Sequence, residues 1–303
     1  MLELLFCSFN SPDWTVIKRG ENKKMNGTAK PLIKFLDGAD TRLIIPIYQR
    51  NYDWKTDNCK QLFNDLVSLT KHHRTTHFFG SIVEMSNQDG TSGEYIIIDG
   101  QQRITTIYLL LLSMVKLLNE GKITSVDPNL VKRIENSYLV DEYEPEDQKI
   151  RLKPVKNDKA ALTRLFGDKR DYMYASNITT NYLYFYNRVI AKEITVDQLF
   201  EAIRRLMVID ISLKQGEDDA QLIFESLNST GLDLTEADKI RNYVLMNQSI
   251  ELQRAYYEKY WNPIEKNTDY KVSEFVRNYL TFKLKRAPKF NSIYIEFKKY
   301  VET

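Results

Sequence analysis

Tyr95-Ile96-Ile97-Ile98-Asp99-Gly100-Gln101-Gln102-Arg103-Ile104-Thr105-Thr106-Ile107 decides how the chain folds. Its first four residues are apolar and largely β-branched, the pattern of a strand covered on both faces. Ile104, Ile107, Tyr108, Leu111, Val115 and Leu118 then recur at helical spacing, which predicts a long amphipathic helix starting near Gly100. The junction between the two carries Asp99, Gly100, Gln101, Gln102 and Arg103. A strand running into a helix in this way is suited to anions: first-turn N–H groups point outward, the helix dipole is positive there, and glycine permits close approach. An Asp-x-x-Gln capping box accounts for Asp99 and Gln102. It leaves Gln101 and the permanent charge of Arg103 without a role, so a ligand site is the better reading.

Outward from this stretch, Phe78 to Met85 reads as a strand, and the Asn-, Asp- and Gly-rich residues 86–93 return the chain into Tyr95, so the junction lies at the end of a hairpin. Gly80 within that strand predicts a bulge or a close approach, with Ser81 beside it as a ligand candidate. Upstream, residues 31–36 suit a short helix and residues 43–47 a strand whose Pro46 puts it at a sheet edge or a strand end. In the segment Tyr48-Gln49-Arg50-Asn51-Tyr52-Asp53-Trp54, an extended chain places Tyr48, Arg50, Tyr52 and Trp54 on one side. Tyr52 and Trp54 read as core plugs. Tyr48, Gln49 and Arg50 supply a stacking face, an amide and a cation, which suit a base and a phosphate. Thr56 or Asp57 caps the next helix, on which Cys59 takes a core position.

The totals exclude several classes. The 303 residues carry 43 Lys and Arg against 41 Asp and Glu, so any basic surface is local. Two cysteines make no disulfide framework, which fits a reducing cytoplasm. No apolar run is long enough to span a membrane, and the N-terminus lacks a signal-peptide pattern. The bunched His72, His73 and His77 lack further ligands nearby and read as a polar turn. Residues 1–24 read as a peripheral extension, 25–120 as an α+β core and 121–303 as mainly helical. Within the last, helices are predicted at 157–166, 177–192, 195–206, 249–262, 270–285 and 290–302, and strands at 149–154 and 206–213.

Residues 216–242 encode two helices around a polar corner. Acids at 217–219 suit a helix start, Asn228 a helix end, Gly231 the reversal, and Thr235 with Asp238 the next start. Ser229, Thr230, Arg241 and Asn242 exceed what capping uses. Near the C-terminus Lys283, Lys285, Arg286 and Lys289 belong to a run in which Glu296 is the one acid between Phe275 and Lys299. That face is a candidate for DNA phosphates, against the commoner reading of a solvated helix.

Together, residues 45–54, Phe79-Gly80-Ser81-Ile82-Val83, the Asp-Gly-Gln-Gln-Arg junction with Thr105-Thr106, and Phe224 to Asn242 resemble the N-terminal domain family of GmrSD-type, modification-dependent restriction proteins. The resemblance runs from about residue 25 onward and implies an α+β fold: a small ParB/sulfiredoxin-like mixed sheet with helices, followed by a helical region closing over it. It implies nucleotide binding and NTP hydrolysis that control defence against foreign or modified DNA. Carried over, Asp99 holds Mg2+ or orients water, Gly100 cradles phosphate, Gln101 and Gln102 position the nucleotide or water, and Arg103 and Arg50 offset phosphate charge. Tyr48 and Gln49 then hold base or ribose, and Ser81, Thr105, Asn228, Thr230 and Gly231 complete the nucleotide-binding set. No Gly-x-x-x-x-Gly-Lys-Ser/Thr loop is present, so hydrolysis needs this other scaffold. Fuller family members carry an HNH nuclease module that needs histidine, and no histidine follows His77. DNA cleavage is therefore not expected of this polypeptide as it stands: either the chain is a fragment, or an HNH nuclease lies in a partner or separate module, or the protein only senses, and the alternative to an NTPase is a non-catalytic nucleotide- or DNA-binding sensor.

Overall fold

The computed structural model describes residues 27–38, 41–86, 93–146, 148–214, 218–228, 234–246 and 248–302. The chain divides into two compact units, one of Met25–Pro46 with Asn51–Asp218, the other containing Ile47–Arg50 with Asp219–Thr303.

The first unit holds a six-stranded mixed sheet. Its strands are β1 (Gly27–Pro31), β2 (Arg42–Ile44), β3 (His77–Ser86), β4 (Glu94–Asp99), β5 (Leu152–Lys153) and β6 (Leu206–Leu213), in the order β1-β6-β3-β4-β2-β5. β3 pairs antiparallel with β4 as the expected hairpin, and β6 runs parallel beside β3. β1 joins β6 antiparallel, while β2 lies parallel between β4 and β5. Both edges are short, and Pro31 sits on the edge strand β1, where a missing N–H costs no ladder bond. Gly-Thr-Ala-Lys-Pro carries no apolar alternation, so β1 has no signature in the sequence. The strand predicted over residues 43–47 stops at Ile44, before Pro46.

The same unit holds helices α1 (Leu32–Leu36), α2 (Thr56–Lys71), α3 (Gln101–Asn119), α4 (Leu130–Ile134), α5 (Lys156–Leu165), α6 (Asn177–Ile190) and α7 (Val196–Arg204). α3 is not the amphipathic helix its spacing predicts. Leu109, Leu110, Leu111, Leu112 and Met114 are at most 1% exposed, so nearly every side of the helix is buried, as the apolar run 109–112 requires. α2 starts at Thr56 with Lys55 as the N-cap, so neither Thr56 nor Asp57 caps it; the Asn58 side chain instead accepts from the Lys55 N–H at 2.9 Å. Cys59 is fully buried, and burial pushes its thiol up to about 12.

The second unit is helical: α8 (Ala220–Asn228), α9 (Glu236–Leu245), α10 (Ile250–Tyr256), α11 (Asn262–Asn267), α12 (Val272–Leu284) and α13 (Ile293–Val301). Its interior includes an edge-to-face aromatic group in which Tyr243 meets Tyr294 at 6.0 Å and Phe297 at 6.2 Å. No helix among the described residues is long and apolar enough to cross a membrane.

Because Leu110 sits on the most enclosed part of α3, Leu110→Ala is expected to lower unfolding stability by about 2–5 kcal/mol. Val126→Ala, at an 89% exposed position, is expected to change it by no more than about 0.5 kcal/mol. Urea midpoints at constant slope measure both.

Candidate functional site

β4 ends at Asp99, Gly100 turns left-handed at φ 96°, and α3 begins at Gln101. A side chain at Gly100 would stand 3.1 Å from Ile82 Cγ1 and 3.2 Å from the Ser81 carbonyl, so both the φ value and the space demand glycine. Gly100 is the N-cap and makes no side-chain capping bond, which overturns the Asp99–Gln102 capping box. The register pairs Asp99 with Val83 and Ile97 with Glu84. Ile98 is thus the extra residue of a bulge, a device that re-aims the side chain following it.

Arg103 turns toward β3. Its Nη1 donates to the Ser81 carbonyl at 3.0 Å and lies 3.7 Å from Asp99 Oδ2. The guanidinium crosses Gly80, where a Cβ would fall 2.5 Å from Arg103 Nε; the register also shifts there, giving the bulge expected of Gly80. Ser81 therefore contributes its backbone to holding Arg103. Asp99 and Arg103 are 24% and 29% exposed, so a carboxylate and a fixed guanidinium face solvent beside a helix N-terminus.

Gln102 points elsewhere. Its Oε1 accepts from the N–H groups of Asp53 at 2.9 Å and Trp54 at 3.0 Å, and its Nε2 donates to the Asn51 carbonyl. One turn on, Thr106 donates to the Gln102 carbonyl at 2.7 Å and contacts the Tyr52 hydroxyl at 2.7 Å. Asn181 of α6 donates to that hydroxyl at 3.1 Å and to the Trp54 carbonyl at 2.8 Å, and Asn177 donates to the Tyr52 carbonyl. From α5, Asp158 Oδ2 accepts the Tyr52 N–H at 2.6 Å. The irregular segment 51–54 thus exchanges its backbone groups with side chains of three helices rather than with a strand. Gln101 is 7% exposed and Thr105 1% exposed.

The other predicted residues distribute as follows. Tyr48, Gln49 and Arg50 belong to the second unit. Ile47–Arg50 forms a turn, not the extended chain that would align Tyr48 with Tyr52. Tyr48 is 2% and Gln49 6% exposed, and burial raises the Tyr48 phenol well above its ordinary range. The Tyr48 carbonyl accepts from Arg241 Nε at 2.8 Å. Arg241 is paired further with Asp238 at 2.7 Å and Glu265 at 2.8 Å, and Glu265 also accepts from Trp261 and Tyr257. The Thr235–Asp238 box caps α9 as expected, and Asp219 accepts from the N–H groups of Gln221 and Leu222. Asn228 ends α8; Thr230 and Gly231 lie outside the described residues. Lys283 lies in the last turn of α12, Lys285 is its left-handed C-cap, Arg286 pairs with Glu296, and Lys289 precedes a short turn at Phe290–Ser292.

The model of the GmrSD restriction endonuclease N-terminal domain matches residues 32–245. The chain belongs to that family. No curated protein matches it in sequence. The GmrSD match takes in the whole junction and the Tyr48–Arg50 turn, and it closes at the last residue of α9.

Asn177, Asn181 and Asp158 have no signal in the sequence, since each opens or lines a helix like any polar residue. Nor do Glu84 and Asp210, which lie on β3 and β6 at 2% and 7% exposure. Ser212 bonds to Glu84 and Lys30 pairs with Asp210, leaving Glu84 Oε2 and Asp210 Oδ1 without hydrogen-bond partners among the described residues. Burial, with Asp210 nearby, raises the Glu84 carboxyl above the usual range.

Burial also moves the Asp158 carboxyl from 3.8 to about 6, only partly countered by the Tyr52 N–H. An acid bound more tightly to its proton when folded lends stability that is present below pH 3.8 and lost as pH rises through about 6. Asp158→Asn keeps the acceptor and removes the titration. Relative to the parent, it is expected to gain up to about 3 kcal/mol between pH 4 and 7 and then level off. Denaturant melts across that range measure the difference.

Proposed function

We propose that the Asp99–Arg103 junction binds the phosphates of a nucleoside triphosphate and hydrolyses it, as the control step of a restriction system acting on foreign or modified DNA. The observation that carries this reading is the fixed guanidinium. Arg103 is held by the Ser81 carbonyl across Gly80, beside the first turn of α3 and within 3.7 Å of Asp99. A preorganised cation needs no reorientation as charge develops on the transferred phosphoryl group, and the helix N-terminus adds backbone donors. Asp99 suits Mg2+, which is commonly held by one or two carboxylates together with substrate phosphates. When bound, that ion would neutralise phosphate charge. The family's ParB/sulfiredoxin-like core would be the scaffold, and cleavage of DNA would fall to an HNH nuclease module.

One observation favours a second reading, a non-catalytic sensor that works with such a nuclease. Gln102, which with Gln101 the resemblance assigns to positioning the nucleotide or the attacking water, directs both ends of its carboxamide at the backbone of residues 51–54. Water orientation would then rest on other groups.

Phosphate release from the four ribonucleoside triphosphates with Mg2+, with and without duplex DNA, separates the two. Turnover is expected to fall about 100-fold or more in Arg103→Ala and in Asp99→Asn, with melting temperature retained. Binding without release supports the sensor. Absence of both binding and release overturns the nucleotide reading.

A further inference from the structure

α12 ends in a turn whose exposed side chains are aromatic and basic. Phe282 is 67% and Phe290 56% exposed, and Lys285, Arg286 and Lys289 are exposed between them. From residue 275 to 295 there is no acidic side chain, while Arg277, Lys283, Lys285, Arg286 and Lys289 fall within that span. The turn is held at both ends. Arg277 Nε donates to the Pro288 carbonyl at 2.8 Å, Pro288 is buried, and Arg286 pairs with Glu296 of α13. Lys285 Nζ stands 4.6 Å from the Phe282 ring centroid, so a cation and a ring are already side by side.

A single exposed phenylalanine requires no explanation. Two that flank one stapled turn, Phe282 in the last turn of α12 and Phe290 beyond it, within a stretch of one charge sign, bring the two components that single-stranded nucleic acid needs: rings for bases and cations for the backbone. Duplex DNA would use only the cations, because its base faces are occupied by stacking.

We infer that residues 282–290 form a docking surface for single-stranded nucleic acid, with Phe282 and Phe290 stacking on bases and Lys283, Lys285, Arg286 and Lys289 meeting phosphates. The inference rests on the restriction reading for its choice of polyanion. An anionic membrane has similar charge, but the patch is a tight turn rather than the long amphipathic helix that lies in a lipid surface.

The test is fluorescence anisotropy of the full chain with a labelled oligothymidylate of about 20 nucleotides, its duplex, and phosphatidylserine vesicles, at about 50 and 200 mM salt. Single strand is expected to bind at least about tenfold tighter than duplex and to weaken with salt. Phe282→Ala with Phe290→Ala is expected to weaken it about 30-fold or more without changing the salt slope, since stacking carries no counterions. Lys285→Ala with Lys289→Ala is expected to reduce both affinity and slope. All four positions are exposed, and circular dichroism melts check the fold. No single-strand binding, binding indifferent to the phenylalanines, or preference for vesicles overturns the inference. Phosphate release by the phenylalanine variant, read in parallel, is expected to be unchanged, so failure here stands apart from failure at Arg103.

Discussion

The carboxamide of Gln102 is the interaction on which the arrangement of the junction depends. Residues 51–54 have no strand to pair with, and their backbone groups would be costly to bury unpaired. Gln102 takes two of their N–H groups and offers one donor in return. Thr106, one turn later on the same helix face, ties the Tyr52 ring to the same helix. Asp158, Asn177 and Asn181 complete the enclosure from two other helices. The first turn of α3 is therefore fixed against the segment that enters α2, and the direction in which Arg103 leaves the helix is fixed with it.

The five-residue signature is two devices in one stretch. Asp99 and Arg103 are four apart and meet at 3.7 Å, and Gly80 and the Ser81 carbonyl of β3 receive the guanidinium. Gln102 and Thr106, also four apart, face inward. Gly100 makes the junction possible, because only a left-handed residue without a Cβ lets β4 turn into α3 this close to Ile82. Polar residues in consecutive positions look like one cluster in a sequence, whereas a helix distributes them around its axis.

Much of the architecture was legible in the sequence because periodicity is a local property. The β3–β4 hairpin, α3, the strand at 206–213, the bulge at Gly80 and the Thr235–Asp238 cap all follow from spacing and turn chemistry. β1 was not, because its five residues owe their pairing to β6, some 180 residues away. The order of strands was equally silent. At the junction, the charge of Arg103 was plain in the sequence, but its seat on the Ser81 carbonyl was not, nor was the part that Gln102 plays: their partners are backbone atoms, which every residue possesses. Tyr48 shows the same limit in reverse. Its neighbours Gln49 and Arg50 made it resemble a stacking platform, yet it is buried, with Arg241 on its carbonyl.

This division bears on how substitutions in the signature should be read. Replacing Gln102 would leave the Asp53 and Trp54 N–H groups and the Asn51 carbonyl without their acceptor and donor, a loss of about 1–3 kcal/mol for each group that stays buried. Activity lost in such a variant would follow from a displaced loop as readily as from a missing catalytic group. Asp99 and Arg103 are better reporters, since both are partly exposed and their mutual contact is a loose 3.7 Å ion pair. An exposed pair of that kind contributes about 0–1 kcal/mol to stability. Substitution of either residue is therefore expected to leave the loop at 51–54 in place, so that a change in activity there can be told apart from a change in fold.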